Sequence, residues 1–208
     1  MRKLPPLVPL FPLPNVVLFP QMPMPLHIFE PRYRKMVSDA LGGGHVIGMA
    51  LLRPGWEPNY EGRPPVYGIA GAGVIEQCEP LDDGDYNIVL RGFTRFRIAS
   101  ERDDQPYRVA EAEPLEDDES DVPALGRLRE ILVSALGRSM MEDLGLHDSL
   151  PHDLYVNALC QTLPMSPVER QALLECETLE SRYLRLIETL EYQRLERALG
   201  SFGSQRLH

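Results

Sequence analysis

The sequence predicts an α+β protein, in which a small, β-rich, barrel-like domain with one short helix precedes a bundle of about four helices. Three observations carry this. Residues 86–98 follow an Asp-Gly turn and alternate apolar with polar side chains, the two-residue period of a strand. From residue 122 onward the apolar residues recur at helical spacing. Between these regions, residues 111–121 hold seven acids and no base, a solvated run of the kind that links domains. The predicted boundaries are a β-rich domain over 1–115, a helical bundle over 116–200 and a flexible tail over 201–208.

Leu7–Leu13 and Val16–Phe19 are short apolar runs broken by proline, which suits strand edges and turns. Pro31 opens a helix on which Tyr33, Met36, Val37, Ala40 and Leu41 recur at helical spacing, and Gly42-Gly43-Gly44 ends it. His45–Leu52 reads as a buried strand. Residues 54–65, with four prolines and two glycines, form a loop. Val66–Glu79 reads as a strand whose Gly68, Gly71 and Gly73 mark bends or close approaches. The turn at Asp83-Gly84 pairs it with 86–98, where Gly92 interrupts the alternation without changing its phase. Tyr107–Ala112 completes the β-rich part.

Beyond the acidic run, Asp121 caps a helix bearing Leu125, Leu128, Ile131, Leu132, Ala135 and Leu136. Pro151 opens a second, with Leu154, Ala158, Leu159 and Leu163 inward. Ser166-Pro167-Val168-Glu169 is a capping box. A long helix runs from Thr178 to near Gly200.

The chain has 208 residues and a net charge of -10. Residues 1–110 balance twelve bases against twelve acids, so the acidity sits mainly in the 111–121 run. A protein that coats nucleic acid needs a basic surface, which this composition does not supply. There is no apolar run long enough to span a membrane. Prolines at 5, 6, 9, 12 and 14 break any signal-peptide helix, and the expected compartment is the cytoplasm. Three scattered cysteines, Cys78, Cys160 and Cys176, read as free thiols.

Three surfaces are candidates. Gln21–Leu26 sets Met22, Met24 and Leu26 in a proline-stiffened segment; methionine adapts to irregular peptide partners, and equally fills cores. Trp56 and Tyr60 sit in the long loop, either as binding anchors or folded back onto the barrel. Arg91, Arg95 and Arg97 share one strand face with Phe93 between them. That face either holds single-stranded RNA or is a solvated surface paired with acids such as Glu76 and Glu79. His147 and His152, with Asp148 and Asp153 nearby, lack the converging set a metal requires. No metal, cofactor or catalytic residue is expected.

Taken together, Leu10-Phe11-Pro12-Leu13, Val17-Leu18-Phe19-Pro20, Ile28-Phe29-Glu30-Pro31-Arg32-Tyr33 with Met36-Val37, and Asp83-Gly84, Tyr86, Gly92 and Arg95-Phe96-Arg97-Ile98 resemble the Lon substrate-binding domain family. This is the N-terminal domain of the Lon ATP-dependent protease, and it also occurs as a stand-alone bacterial protein of about this size. The resemblance extends more loosely to Gln171–Glu175 and Arg182. It implies a PUA-like β pseudobarrel with one short helix followed by a C-terminal helical bundle. It also implies a non-catalytic, proteolysis-related adaptor that engages unfolded or partly folded proteins and peptides, with a separate protease or chaperone as further partner. The protease's own machinery has no counterpart here. No phosphate-loop motif occurs, and the only lysines are Lys3 and Lys35.

Overall fold

The computed structural model describes residues 2–60, 62–116 and 122–204. In chain order these form β1 (Leu7–Leu13), β2 (Pro23–Ile28), α1 (Pro31–Leu41), β3 (Val46–Leu51), β4 (Ile69–Pro80), β5 (Tyr86–Arg102) and β6 (Arg108–Leu115). Then come α2 (Val122–Leu136), α3 (Arg138–Asp143), α4 (His152–Thr162), α5 (Pro167–Leu174) and α6 (Leu179–Ser204). Two compact units result. One is Met1–Glu116 with Asn157–Glu175; the other is Asp117–Val156 with Cys176–His208. The sequence assigns 116–200 to one bundle, whereas the fold gives 157–175 to the β-rich unit. The expected cap at Asp121 and the tail beyond Ser204 lie outside the described residues. Helix α6 continues past Gly200 to Ser204, and α3 is a short helix the sequence reading does not contain.

In the first unit the sheet order is β2-β5-β4-β3-β1-β6, with a further pairing of β5 to β6. β1 and β3 are parallel; the other pairs are antiparallel. The 17-residue β5 makes this possible. Its first part pairs with β2 and its second with β6, so β1, β3, β4, β5 and β6 close into a ring. The free edge belongs to β2, where Pro23 and Pro25 remove backbone donors and discourage another strand from pairing.

Alternation along the strands makes two apolar layers. Phe11, Ile47, Met49, Ile88 and Leu90 pack beneath Tyr33, Met36 and Val37 of α1. Val8, Leu10, Val46, Ala50 and Phe96 form the other. Ile88 and Leu90 thus serve one layer and Phe96 the other, although all three are even-numbered. The cause is a β-bulge: Gly73 faces Gly92 and Ala72 faces Thr94, which leaves Phe93 as an extra residue. The expectation that Gly92 preserves the phase is corrected. The bulge reverses it.

A second correction concerns Val16–Phe19, which is not a strand. It is an irregular strap with Val17, Leu18 and Phe19 buried. The strap crosses β4 and β5 where they carry glycine. A Cβ on Gly71 would collide with the Leu18 carbonyl oxygen, and one on Gly92 with that of Phe19. Gln21, at φ 67°, turns the chain back; its N–H donates to the Gly92 carbonyl at 2.8 Å. On its other side the strap meets α4. Gln161 Oε1 accepts from the Phe19 N–H at 3.2 Å, and Asn157 Nδ2 donates to the Pro20 carbonyl at 3.3 Å.

Helix α5 begins with the expected capping box. Ser166 Oγ accepts from the Glu169 N–H at 3.2 Å, and Glu169 Oε2 accepts from the Ser166 N–H at 2.7 Å. The helix lies along β4, where Gln171 Nε2 donates to the Ile69 carbonyl at 2.9 Å.

In the second unit, α2 packs on α3 and α6 through Leu125, Leu132 and Met141. Ile131, placed inward by the sequence pattern, is exposed. Arg129 takes a buried position instead. Its guanidinium lies 3.7 Å from the Tyr155 ring centroid and donates to the carbonyls of His147 and Leu150. No helix among the described residues is long and apolar enough to cross a membrane.

Candidate functional site

Met22 and Met24 are each 6% exposed, and Met24 lies in the layer beneath α1. They fill the interior because residue 24 alternates inward on β2, so the proposed methionine surface is not formed. Leu26 is half-buried and lines a shallow groove of about 410 Å³ with Pro25, Ile88 and Val89. Cys78 lies in the same groove, and burial pushes its thiol pKa up.

The arginine face is also corrected. The bulge places Arg91 on one side of β5 and Arg95 and Arg97 on the other. Arg91 donates to Glu76 Oε2 and to the Gln21 carbonyl, both at 3.1 Å. Arg95 is 2% exposed and donates to the Leu174 carbonyl at 2.6 Å. Phe93 packs into the second apolar layer. Arg97 alone of the four is exposed, so no stacking platform flanked by cations exists.

The loop candidates fare differently. Gly55, at φ 86°, turns the chain into a one-turn 3₁₀ helix at Glu57–Asn59. Trp56 and Tyr60 flank that turn with ring centroids 5.4 Å apart, edge to face. Both stay half-exposed. The Tyr60 hydroxyl donates to Glu30 Oε1 at 2.6 Å. Burial and this bond both raise the tyrosine's pKa. Glu30 immediately precedes α1 and also accepts from Arg32 Nε at 2.9 Å. The Arg32 guanidinium lies over the rings of Tyr33 and Tyr60, at 4.6 and 5.4 Å. Phe29, next to Glu30, is 61% exposed.

These contacts join the Trp56–Tyr60 loop to the start of α1. Tyr60 also lines a pocket of about 230 Å³, while the Phe29 ring stacks on His27 with centroids 6.0 Å apart. The pocket is lined by Arg32, Tyr33, Tyr60, Arg63, Tyr107 and Arg108, with Pro12, Leu52, Pro64 and Pro106 as apolar wall. Arg108 is fixed by two hydrogen bonds donated to the Glu101 carboxylate, from Nε and Nη2, and by donation to the Pro64 carbonyl at 2.7 Å. The Tyr107 hydroxyl donates to Asp39 Oδ2 at 2.9 Å.

Phe29, Arg32, Tyr33, Tyr107 and Arg108 are not candidates in the sequence reading. The signal for the first three is the run Ile28–Tyr33, which reads only as a helix start. Tyr107 and Arg108 carry no local signal. Among the described residues no group of three or more His, Cys, Asp or Glu is placed to hold a metal ion.

Residues 7–192 match the family model of the ATP-dependent protease La (LON) substrate-binding domain. The chain is 26% identical over 205 residues to the Lon protease of Flavobacterium johnsoniae, covering 94% of this chain and 25% of that protein. It is 29% identical over 203 residues to Lon protease 1 of Bdellovibrio bacteriovorus, covering 88% and 24%. The chain thus spans about a quarter of the length of the curated relatives it matches. Among solved structures, it resembles a Lon N-terminal domain protein from Xanthomonas campestris with a TM-score of 0.67 and 29% identity, covering 88% of this chain and 97% of that one. The N-terminal domain of a Mycobacterium avium complex Lon protease shares the fold at a TM-score of 0.70 and 15% identity, covering 89% and 98%.

Proposed function

The chain belongs to the family of LON substrate-binding domains, and on that premise we propose that it is a non-catalytic module that holds exposed apolar segments of unfolded or partly folded proteins. The observation that carries the reading is the half-exposed aromatic pair Trp56 and Tyr60, held to the start of α1 by the Tyr60–Glu30 hydrogen bond. Burying a few client side chains there, at roughly 1.5–3 kcal/mol each less the ordering cost, gives about micromolar affinity per site. The closed ring of β1, β3, β4, β5 and β6 supports reading the first unit as a PUA-like pseudobarrel. The names of the relatives, Lon proteases, support a role connected with proteolysis; a separate protease or chaperone as partner and the cytoplasm as the compartment are part of the same proposal. Binding of RNA is disfavoured by the burial of Arg95 and the pairing of Arg91.

The test is capture of permanently unfolded, carboxymethylated lactalbumin at low and high salt. Apolar burial is not screened, so capture persists at high salt. Binding that collapses with salt, or that prefers a short RNA, overturns the reading.

A further inference from the structure

We propose that the pocket between α1, the 54–65 loop and the start of β6 receives a carboxylate carried on an apolar residue, and that its occupant is the C-terminal residue of a client peptide. This rests on the substrate-binding reading above and names the group that reading leaves open. The charged residues in the described lining are all arginine: Arg32, Arg63 and Arg108. Their acidic partners Glu30, Asp103 and Glu101 are not in the lining. The pocket therefore meets an occupant with donors, while the acids hold those donors in place.

A guanidinium has five N–H groups, and one carboxylate uses two of them. Arg108 is committed, with Glu101 on Nε and Nη2 and the Pro64 carbonyl on Nη1. Arg32 donates to Glu30 through Nε; Nη2 lies 2.9 Å from the same carboxylate but is buried without a hydrogen-bond partner, and Nη1 has none among the described residues. Arg63 engages the Arg102 carbonyl and Asp103 through Nη1, and its remaining donors have no partner among the described residues. The Tyr60 and Tyr107 hydroxyls donate to Glu30 and Asp39. The Tyr33 hydroxyl has no hydrogen-bond partner among the described residues; the ring is buried, but the hydroxyl oxygen keeps access to the pocket.

Size and wall chemistry choose the source of the carboxylate. The pocket's volume of about 230 Å³ lies below the roughly 300–1,000 Å³ of sites for drug-sized ligands, so it suits one residue. Pro12, Leu52, Pro64 and Pro106 stand beside the arginines. A terminal apolar residue presents a side chain and a carboxylate from the same carbon, matching both. A mid-chain Asp or Glu brings no apolar side chain with its carboxylate, and its chain must leave in two directions.

The experiment uses an N-terminally labelled heptapeptide ending in Leu-Phe, as free acid and as C-terminal amide, with fluorescence anisotropy on the full chain. The acid is expected to bind about tenfold more tightly, the worth of one charge-assisted hydrogen bond. Arg63→Gln alters an exposed pair, so it leaves the melting temperature unchanged while narrowing the gap to about threefold or less. Arg32→Gln and Tyr33→Phe narrow it too. Equal binding of acid and amide overturns the proposal, as does a gap that survives both arginine changes. Capture of carboxymethylated lactalbumin, run in parallel, separates the two levels. Capture without an acid preference defeats the pocket assignment alone, and an acid preference without capture defeats the broader reading alone.

Discussion

Arg95 on β5 and Leu174 at the end of α5 are joined by a 2.6 Å hydrogen bond from the buried guanidinium to the helix's last carbonyl. A helix C-terminus leaves carbonyls without intrahelical partners and carries partial negative charge, so a cation there is favoured. The arginine of a suspected nucleic-acid face is therefore a bolt between sheet and helix.

Replacing Arg95 with Met removes that bond and leaves a buried acceptor. Stability is expected to fall by about 2–3 kcal/mol in urea denaturation of the full chain. Arg97→Ala, two residues along the strand and exposed, is expected to stay within about 0.5 kcal/mol.

Gly92→Ala is expected to be severe. The added carbon collides with the Phe19 carbonyl oxygen, a backbone atom held between β5 and α4. A loss of about 3 kcal/mol or more would appear as a lower melting temperature. Gly68→Ala has open space around its Cβ and is expected to be neutral or slightly stabilising.

Ser166→Ala breaks half of the capping box. The expected cost is about 1 kcal/mol, measured by denaturant titration. A Ser166→Asp change retains an acceptor and is expected to recover most of it.

Phe29→Ser and Trp56→Ala test the aromatic side chains. Phe29 is mostly exposed, so its loss is expected to leave stability within about 0.5 kcal/mol. Client capture is expected to weaken about fivefold or more for each change. Unchanged affinity in the double variant would remove these side chains from the account.

Tyr107 gives the protein an alkaline limit. Burial, and then its bond to Asp39, push its pKa from 10.0 up to about 12. Between those values the unfolded chain has released a proton that the folded chain keeps, so stability falls as pH rises through this window. Below pH 10 the contribution is complete. Tyr107→Phe is expected to flatten the stability–pH slope between pH 10 and 12, and absorbance at 295 nm follows the ionisation directly.

Much of this was legible in the residues, and what was not has identifiable causes. Pro31 and the glycine triplet bounded α1, and the Ser166 box marked α5, because caps and breakers act within a few residues. The bulge at Phe93 was not legible: an inserted residue leaves no compositional mark, and it undid the alternation that had grouped Arg91, Arg95 and Arg97. Arg95's partner lies 79 residues away, beyond the reach of any local pattern. Met22 and Met24 read as surface or core with equal ease, since methionine suits both. Trp56 and Tyr60 were legible as large groups in a loop. Their joining to Glu30 and Arg32 depends on a contact between Tyr60 and Glu30 that spans thirty residues.

The strap at Val17–Gln21 has a consequence for biosynthesis. Asn157 and Gln161 hold it from one side and the β4 and β5 glycines from the other, so the strap waits on a residue 142 positions further along the chain. Translation delivers only about 5–20 residues each second. The ring's strands emerge many seconds ahead of the helix that latches them. During that interval a nascent chain carries its own greasy segment uncovered, in the very state that the proposed function has the finished protein recognise in others.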